Sequence, residues 1–553
     1  MKTKRIFALA ATVLMGATTM SAFSACGGTK VQDEEYDATK ANLTVATFDG
    51  GVGRAWLDDA AARFEELYKD ATNFQEGRTG VNIIVDGSKD KYGGKTLSEK
   101  ALNKDVYFTE GVDYYDFVNK GKVADITDVL TGSMTTYGES GTIEDKMDNS
   151  FKSFMTAGTE GKYYMVPFYD GFYGFIYDID LFESEGFYFD QDGDFLMLSD
   201  ESEREEFEAN KSNGPDGKKG TYDDGLPATY EQMISLVDQI VAKSCIPFCY
   251  SGMYNDYVSK AFRAFIADYE GYEGFSLNYN FNGTAELVKN INADGSIETE
   301  EVAITEDNAY ELQRQGGKYY ALKMQEELFG SVKYIGNNWN GLDYTVAQST
   351  FIKSKYTSKP YAILVEGVWW ENEASATFTE IENIRGEKKS DRNFGFLPIP
   401  KAPGKEAGDQ TMFSSNSSFG FINKNCSNME LAKEFMRFLN SDAEMSKFSA
   451  KTSIPRSLNY TVSEGDKATA TSFGKSLIAM RESSKVVYPY SSLPLVINNS
   501  ASFTEERWFL TSEVSGKTLN NPFNAFKDGT ATAEQYFNGM YSYHSNMWST
   551  LKK

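Results

Sequence analysis

The sequence predicts an α/β protein of at least two domains, in which parallel strands are covered by helices. A buried strand (LTVATF, 43–48), a helix and a second strand (VNIIV, 81–85) open the folded part in β-α-β order. Such alternation closes as a parallel sheet with helices on its faces. The chain has 553 residues and 41% hydrophobic content, with 39 Phe, 34 Tyr and 6 Trp. That is more apolar material than one core holds, so the chain divides.

The elements follow in order. After the turn Asp49-Gly50-Gly51-Val52-Gly53, residues Trp56, Leu57, Ala60, Ala61, Phe64, Leu67 and Tyr68 recur at helical spacing. DVYFT (105–109) reads as the next strand, and residues 110–120 open a helix. The aromatic run KYYMVPFYDGFYGFIYDID (162–180) reads as a strand crossing an interior, and NFGFLPIP (393–400) as a short strand stopped by two prolines. Ser427-Asn428-Met429-Glu430 reads as a capping box before a helix with Leu431, Phe435, Phe438 and Leu439 on one face. Beyond Ile454-Pro455 the chain reads as helical, and it carries no repeat or low-complexity segment.

The N-terminus has its own logic. Lys2, Lys4 and Arg5 precede a mostly apolar, small-residue stretch (6–23) that ends in Ser24-Ala25-Cys26. This is a secretory signal covering residues 1–25, too short for a convincing membrane span. Phe23-Ser24-Ala25-Cys26 resembles a bacterial lipobox, with Phe23 where Leu is commoner. The resemblance implies diacylglycerol on the Cys26 thiol. Two acyl chains at about 0.8 kcal/mol per buried CH₂ anchor stably. The expectation is a domain held on the outer face of the cell membrane, with residues 26–40 as anchor and tether and no other membrane contact.

Cleavage before Cys26 removes three bases and no acid, taking the formal net charge from −25 to −28. Such a surface repels phosphate backbones and anionic headgroups, which excludes nucleic acid and suits a neutral or cationic ligand. Cys245, Cys249 and Cys426 form no disulfide framework and read as free thiols. The one histidine, His544, leaves nothing for a His-based triad or a His zinc site. Some pair among 80 acids could run glycoside hydrolysis, but no segment points to it, and the chain reads as a non-enzyme.

Four segments, in order, resemble the family 1 extracellular solute-binding proteins of ABC importers, the maltose-binding-protein type. They are VYFTEGVDYYDFVNKGKVADITDVL (106–130), GKYYMVPFYDGFYGFIYDIDLFE (161–183), YAILVEGVWWENEA (361–374) followed by NFGFLPIPK (393–401), and SSFGFINKNCSNMELAKEFMRFLNSDAEM (417–445). The resemblance implies a type II periplasmic-binding-protein fold: two α/β lobes, joined by crossing segments, with ligand in the cleft between them. Crossings are expected near 167–170, 397–401 and 453–456. One lobe would then be 41–168 with 399–453, and the other 169–398 with 454–553. Extra length falls at 185–226 and about 270–340.

The candidate ligand residues follow from that frame. The family places a sugar-stacking aromatic after the strand ending Glu366-Gly367, and adjacent residues on a strand point opposite ways. Trp369 is therefore expected in the cleft, with Glu371 and Asn372 near it, and Trp370 in the core. Tyr169, Asp170 and Tyr173 lie at the first crossover; Thr109, Glu110 and Asp113, and likewise Asp49 before Gly50-Gly51, follow strand ends where open α/β sheets bind ligands. Trp508, Arg507, Asn498 and Trp339 are weaker candidates. A structural calcium site is a further expectation. Asp190, Asp192 and Asp194 alternate, and Glu201 stands twelfth from Asp190 as in an EF-hand loop, although Phe195 takes the Gly position. Asp216, Asp223 and Asp224 belong to a second Asp/Gly-rich run, and the site would stiffen the second lobe.

The expected function is a monomeric lipoprotein that captures a carbohydrate, an oligosaccharide above all, by hinge closure and delivers it to an ABC permease. The alternatives are a secreted glycoside-acting enzyme, a binding lipoprotein for peptide or polyamine, and a surface adhesin or sensor without transport.

Overall fold

The computed structural model describes residues 36–336, 341–415, 417–503 and 507–553. The signal segment, Cys26 and Trp339 lie outside the described residues. In chain order the two main sheets use β1 (Ala41–Thr47), β2 (Val81–Gly87), β3 (Val106–Thr109), β4 (Val166–Pro167), β5 (Tyr173–Asp178), β6 (Ile246–Cys249), β7 (Tyr361–Gly367), β8 (Phe394–Phe396) and β9 (Phe419–Ile422).

The first sheet has the order β2-β1-β3-β9-β4. The opening β-α-β unit is parallel as expected, with Leu43 opposite Ile83 and Val45 opposite Val106. β9 arrives from late in the chain and runs antiparallel to both β3 and β4, so the sheet is mixed. The second sheet has the order β8-β5-β7-β6, with β6 parallel to β7 and β5 antiparallel to β7 and β8. Side chains alternate on it as the strand period of two requires. Phe175, Tyr177, Ile363 and Val365 enter the second core, while Ile176, Leu364 and Phe394 continue the first. The result is two α/β lobes joined by crossing segments.

The aromatic run at 162–180 is two strands rather than one. Residues 168–172 between β4 and β5 are the crossing itself, where Asp170 N–H donates to the Pro455 carbonyl at 2.9 Å and Gly171 N–H donates to Ser414 Oγ at 3.0 Å. The return to the first sheet lies later than 397–401. Ile399 and Ala402 are buried in the second core, and Lys401 Nζ pairs with buried Asp268 at 2.9 Å, so the chain re-enters the first sheet only after 414–418. Helix Met429–Leu439 buries Leu431, Phe435, Phe438 and Leu439 as its spacing requires, but its cap is Asn428, whose Oδ1 accepts from Leu431 N–H; Ser427 Oγ instead donates to Asp105. Cys245, Cys249 and Cys426 are free thiols.

Candidate functional site

The loops that leave the C-terminal ends of β1, β2 and β3 carry Asp49 to Gly51, Lys89 and Glu110. The second lobe faces them with Tyr173 at the start of β5, with Tyr257 and Tyr344 on two helices, and with residues 369–373 beyond β7. Between them lies a cavity of about 610 Å³ lined by Asp49, Arg54 and Lys89 on one side and Tyr344, Asn372 and Glu373 on the other.

An aromatic corner stands at this junction. Tyr173 meets Trp369 edge-on at 5.1 Å and Tyr257 at 5.2 Å between ring centroids. Lys260 Nζ lies over both tyrosine rings, at 5.3 and 5.7 Å, while pairing with Asp256 at 3.0 Å. Trp369 is half-buried and Trp370 is fully buried against Phe394 and Phe473. The two tryptophans diverge because β7 has already ended at Gly367 and Trp370 begins a short helix capped by Trp369. The lobes touch here: a Cβ on Gly51 would lie 2.4 Å from the Trp369 Cβ.

Charges from both lobes meet nearby. Lys89 Nζ donates to the Tyr344 hydroxyl at 2.8 Å and lies 3.6 Å from Glu373, whose other oxygen accepts from Gln348 Nε2 at 3.0 Å. Burial pushes the Glu110 carboxyl up to about 7, and the negative charge of Glu373 adds to it, while a hydrogen bond from Tyr169 and the Lys89 charge oppose the rise. Glu373 is raised by burial too, and Glu366 well above the usual carboxylate range by burial and by Glu373. Burial at the junction thus disfavours the charged forms of carboxylates from both lobes.

The sequence profile described as bacterial extracellular solute-binding protein matches residues 69–472. The chain is a bacterial extracellular solute-binding protein. Among solved structures this solute-binding protein is similar to the apo form of RafE from Streptococcus pneumoniae, with 14% identity over 93% of this chain and 100% of that one and a TM-score of 0.51. RafE in complex with raffinose matches with 14% identity, 92% and 100% coverage and a TM-score of 0.50. The cyclic alpha-maltosyl-1,6-maltose binding protein from Arthrobacter globiformis matches with 12% identity, 92% and 100% coverage and a TM-score of 0.52. At these identities the likeness is one of fold. A comparison with curated proteins found no match.

In the solute-binding protein the expected residues fall into two groups. Asp49, Glu110, Tyr169, Tyr173, Trp369, Glu371 and Asn372 gather at the junction, but several spend their polar atoms on the protein. Glu371 accepts from Ser453 Oγ and Thr471 Oγ1, both at 2.9 Å, and Asn372 Nδ2 donates to the Thr452 carbonyl at 2.8 Å, so both tie the second lobe to the third crossing. Asp170 is fully buried and pairs with Arg481 at 2.9 Å. Thr109 is buried and its hydroxyl donates to the Tyr92 carbonyl, while Asp113 caps helix Tyr114–Asn119. Trp508 is not a cleft residue: it is fully buried, its Nε1 donates to Asn278 at 2.8 Å, and it packs on Trp548 and His544. Arg507 and Asn498 are exposed away from the cavity lining. Lys89, Tyr257, Tyr344 and Glu373 were not anticipated, although the strand-end rule that selected Asp49 and Glu110 also points to Lys89 just beyond β2.

The calcium ligands do not converge. Asp190 Oδ1 accepts the backbone N–H groups of Asp192 and Asp194, both at 2.9 Å, and Glu201 pairs with Arg204. Asp216 and Asp223 are buried in a separate turn, where Asp216 N–H donates to Asp223 Oδ2 at 2.8 Å, and Asp224 accepts from Gly220 N–H at 2.8 Å. Burial holds Asp223 up at about 6. Among the described residues no group of three acidic, His or Cys side chains is arranged to hold a metal ion.

Proposed function

We propose that this solute-binding protein captures a carbohydrate, an oligosaccharide, between its lobes and delivers it to the membrane permease of an ABC importer. The observation that carries the reading is the corner of Trp369, Tyr173 and Tyr257 beside a cavity whose polar groups come from both lobes. Aromatic rings cover the C–H faces of a sugar, and carboxylates, amides and ammonium groups pair with its hydroxyls. Two solved proteins of similar fold are named for raffinose and for a cyclic maltosyl-maltose, which supports the same class.

A solute held by Asp49 and Lys89 on one side and Asn372, Glu373 and Tyr344 on the other contacts both lobes only when they are closed. Its differential affinity then favours the closed form, which the permease reads. The protein binds without catalysing, works as a monomer, and is held at the outer membrane face through lipid on Cys26. None of the helices among the described residues is long and apolar enough to cross a membrane.

The test is thermal unfolding of the mature chain lacking its acyl cysteine (27–553) against a panel of oligosaccharides. Ligand at a hundred times its Kd adds about 2.7 kcal/mol of stability. A rise in Tm with one sugar class, the sugar being recovered intact, supports the proposal. A rise with peptides or polyamines alone overturns the carbohydrate assignment.

A further inference from the structure

We propose a second saccharide-binding groove between the lobes, at the junction of helix Asn149–Thr156 with the C-terminal half of helix Asp256–Asn280. It has a volume of about 450 Å³ and shares no lining residue with the cleft cavity. The proposal rests on the carbohydrate reading above and extends it to a site that neither the family match nor the similar structures assign.

The walls are built for a polar, uncharged guest. Gly271, at φ +69°, kinks the long helix and turns its last two turns towards the first lobe. Tyr272, Ser276 and Asn280 then recur at i, i+4 and i+8, one face of a helix. Asn149 and Ser153 form the matching i, i+4 pair on the opposite wall. All five line the groove and are accessible. A hydrogen bond of 3.3 Å from the Tyr272 hydroxyl to Asp148 Oδ2 crosses between the walls. The lining includes two acids, Asp148 and Glu273, and no Lys or Arg; Lys485 lies over the Tyr272 ring at 5.7 Å.

The floor is fixed independently of any guest. Tyr488 and Tyr490 pack on Phe151 at 4.6 and 4.8 Å. Tyr490 is 5% exposed, and its buried hydroxyl has no hydrogen-bond partner among the described residues. A neutral polyhydroxylated ligand meets the hydroxyls and amides of the two walls. An anion meets two carboxylates, and an apolar ligand strands the amides. The volume falls within the range of small-molecule sites.

The test counts bound sugar. Equilibrium dialysis of the mature chain with raffinose, maltotriose and chitotriose at millimolar concentration is compared across wild type, Trp369→Ala and Ser276→Trp, with Tyr272→Ala as a milder second groove variant. Melting curves check that each variant folds. The expected result is two molecules of one probe per chain, falling to one in Ser276→Trp and weakened at least tenfold at one site in Tyr272→Ala. Trp369→Ala retains the groove molecule. One molecule per chain, lost with Trp369→Ala and unaffected by either groove variant, overturns the groove and leaves the cleft reading standing. Absence of sugar in wild type for all three probes overturns both.

Discussion

Gly51 and Trp369 meet across the cleft at a distance that leaves no room for a methyl group. The atoms in the way are the indole root, not the far end of a flexible chain, so Gly51→Ala holds the lobes apart where glycine lets them close. The expected outcome is solute binding weakened at least tenfold, which is about 1.4 kcal/mol, with a larger radius in small-angle scattering and an unchanged Tm without solute. Trp369→Ala removes the ring itself and is expected to weaken binding by about a hundredfold, roughly 2.7 kcal/mol, without opening the lobes. Glu110 gives a pH test. Its folded carboxyl sits at about 7 against an ordinary 4.5, raised first by burial. A raised carboxyl favours the folded state while protonated, so this contribution is complete below pH 4.5 and is lost as pH rises through 7. The stability of wild type minus that of Glu110→Gln therefore falls across that interval, and a flat difference in denaturant titrations refutes the burial argument. The division between Trp369 and Trp370 was legible in the sequence, but through strand alternation, whereas the structure achieves it by starting a helix. Lys89 lay within reach of the strand-end rule, but its meeting with Tyr344 and Glu373 was not legible, because the three lie far apart in sequence and come together across the lobes.

At the scale of elements, local signals were read more surely than crossings. The helix at 55–67 announces itself by period, since it buries one face, and the strand at 41–47 by a short run buried on both faces. The run at 162–180 is rich in aromatics on both sides of Asp170-Gly171, the turn dipeptide that marks the break at 168–172; the crossing itself is fixed by bonds to Ser414 and Pro455, which come from elsewhere in the chain. The cap at 428 rather than 427 is a contest of the same kind, decided by the Ser427 bond to Asp105. Asn428→Ala removes the bond to Leu431 N–H, and its Nδ2 also serves the Phe74 carbonyl. The expected loss is about 1 kcal/mol of unfolding free energy, measured by urea titration, with solute affinity unchanged.

At the scale of the molecule, the crossings knit three distant stretches together. Buried Asp170 pairs there with partly buried Arg481, and Arg456, fully buried, donates to Asn440 Oδ1 at 2.7 Å and to the Leu439 carbonyl. Removing one member of such a pair leaves an uncompensated charge, and Arg481→Met is expected to cost roughly 3 kcal/mol, read as a lowered Tm that saturating solute only partly restores. The position of β9 between β3 and β4 has a consequence for how the protein is made. Until Phe419–Ile422 leaves the ribosome, β3 has an open edge and β4 has no neighbour in its sheet. Long-range pairing of this kind is slow to form. The first sheet of the nascent polypeptide therefore stays incomplete until this late strand arrives, while every strand of the second sheet has already been made.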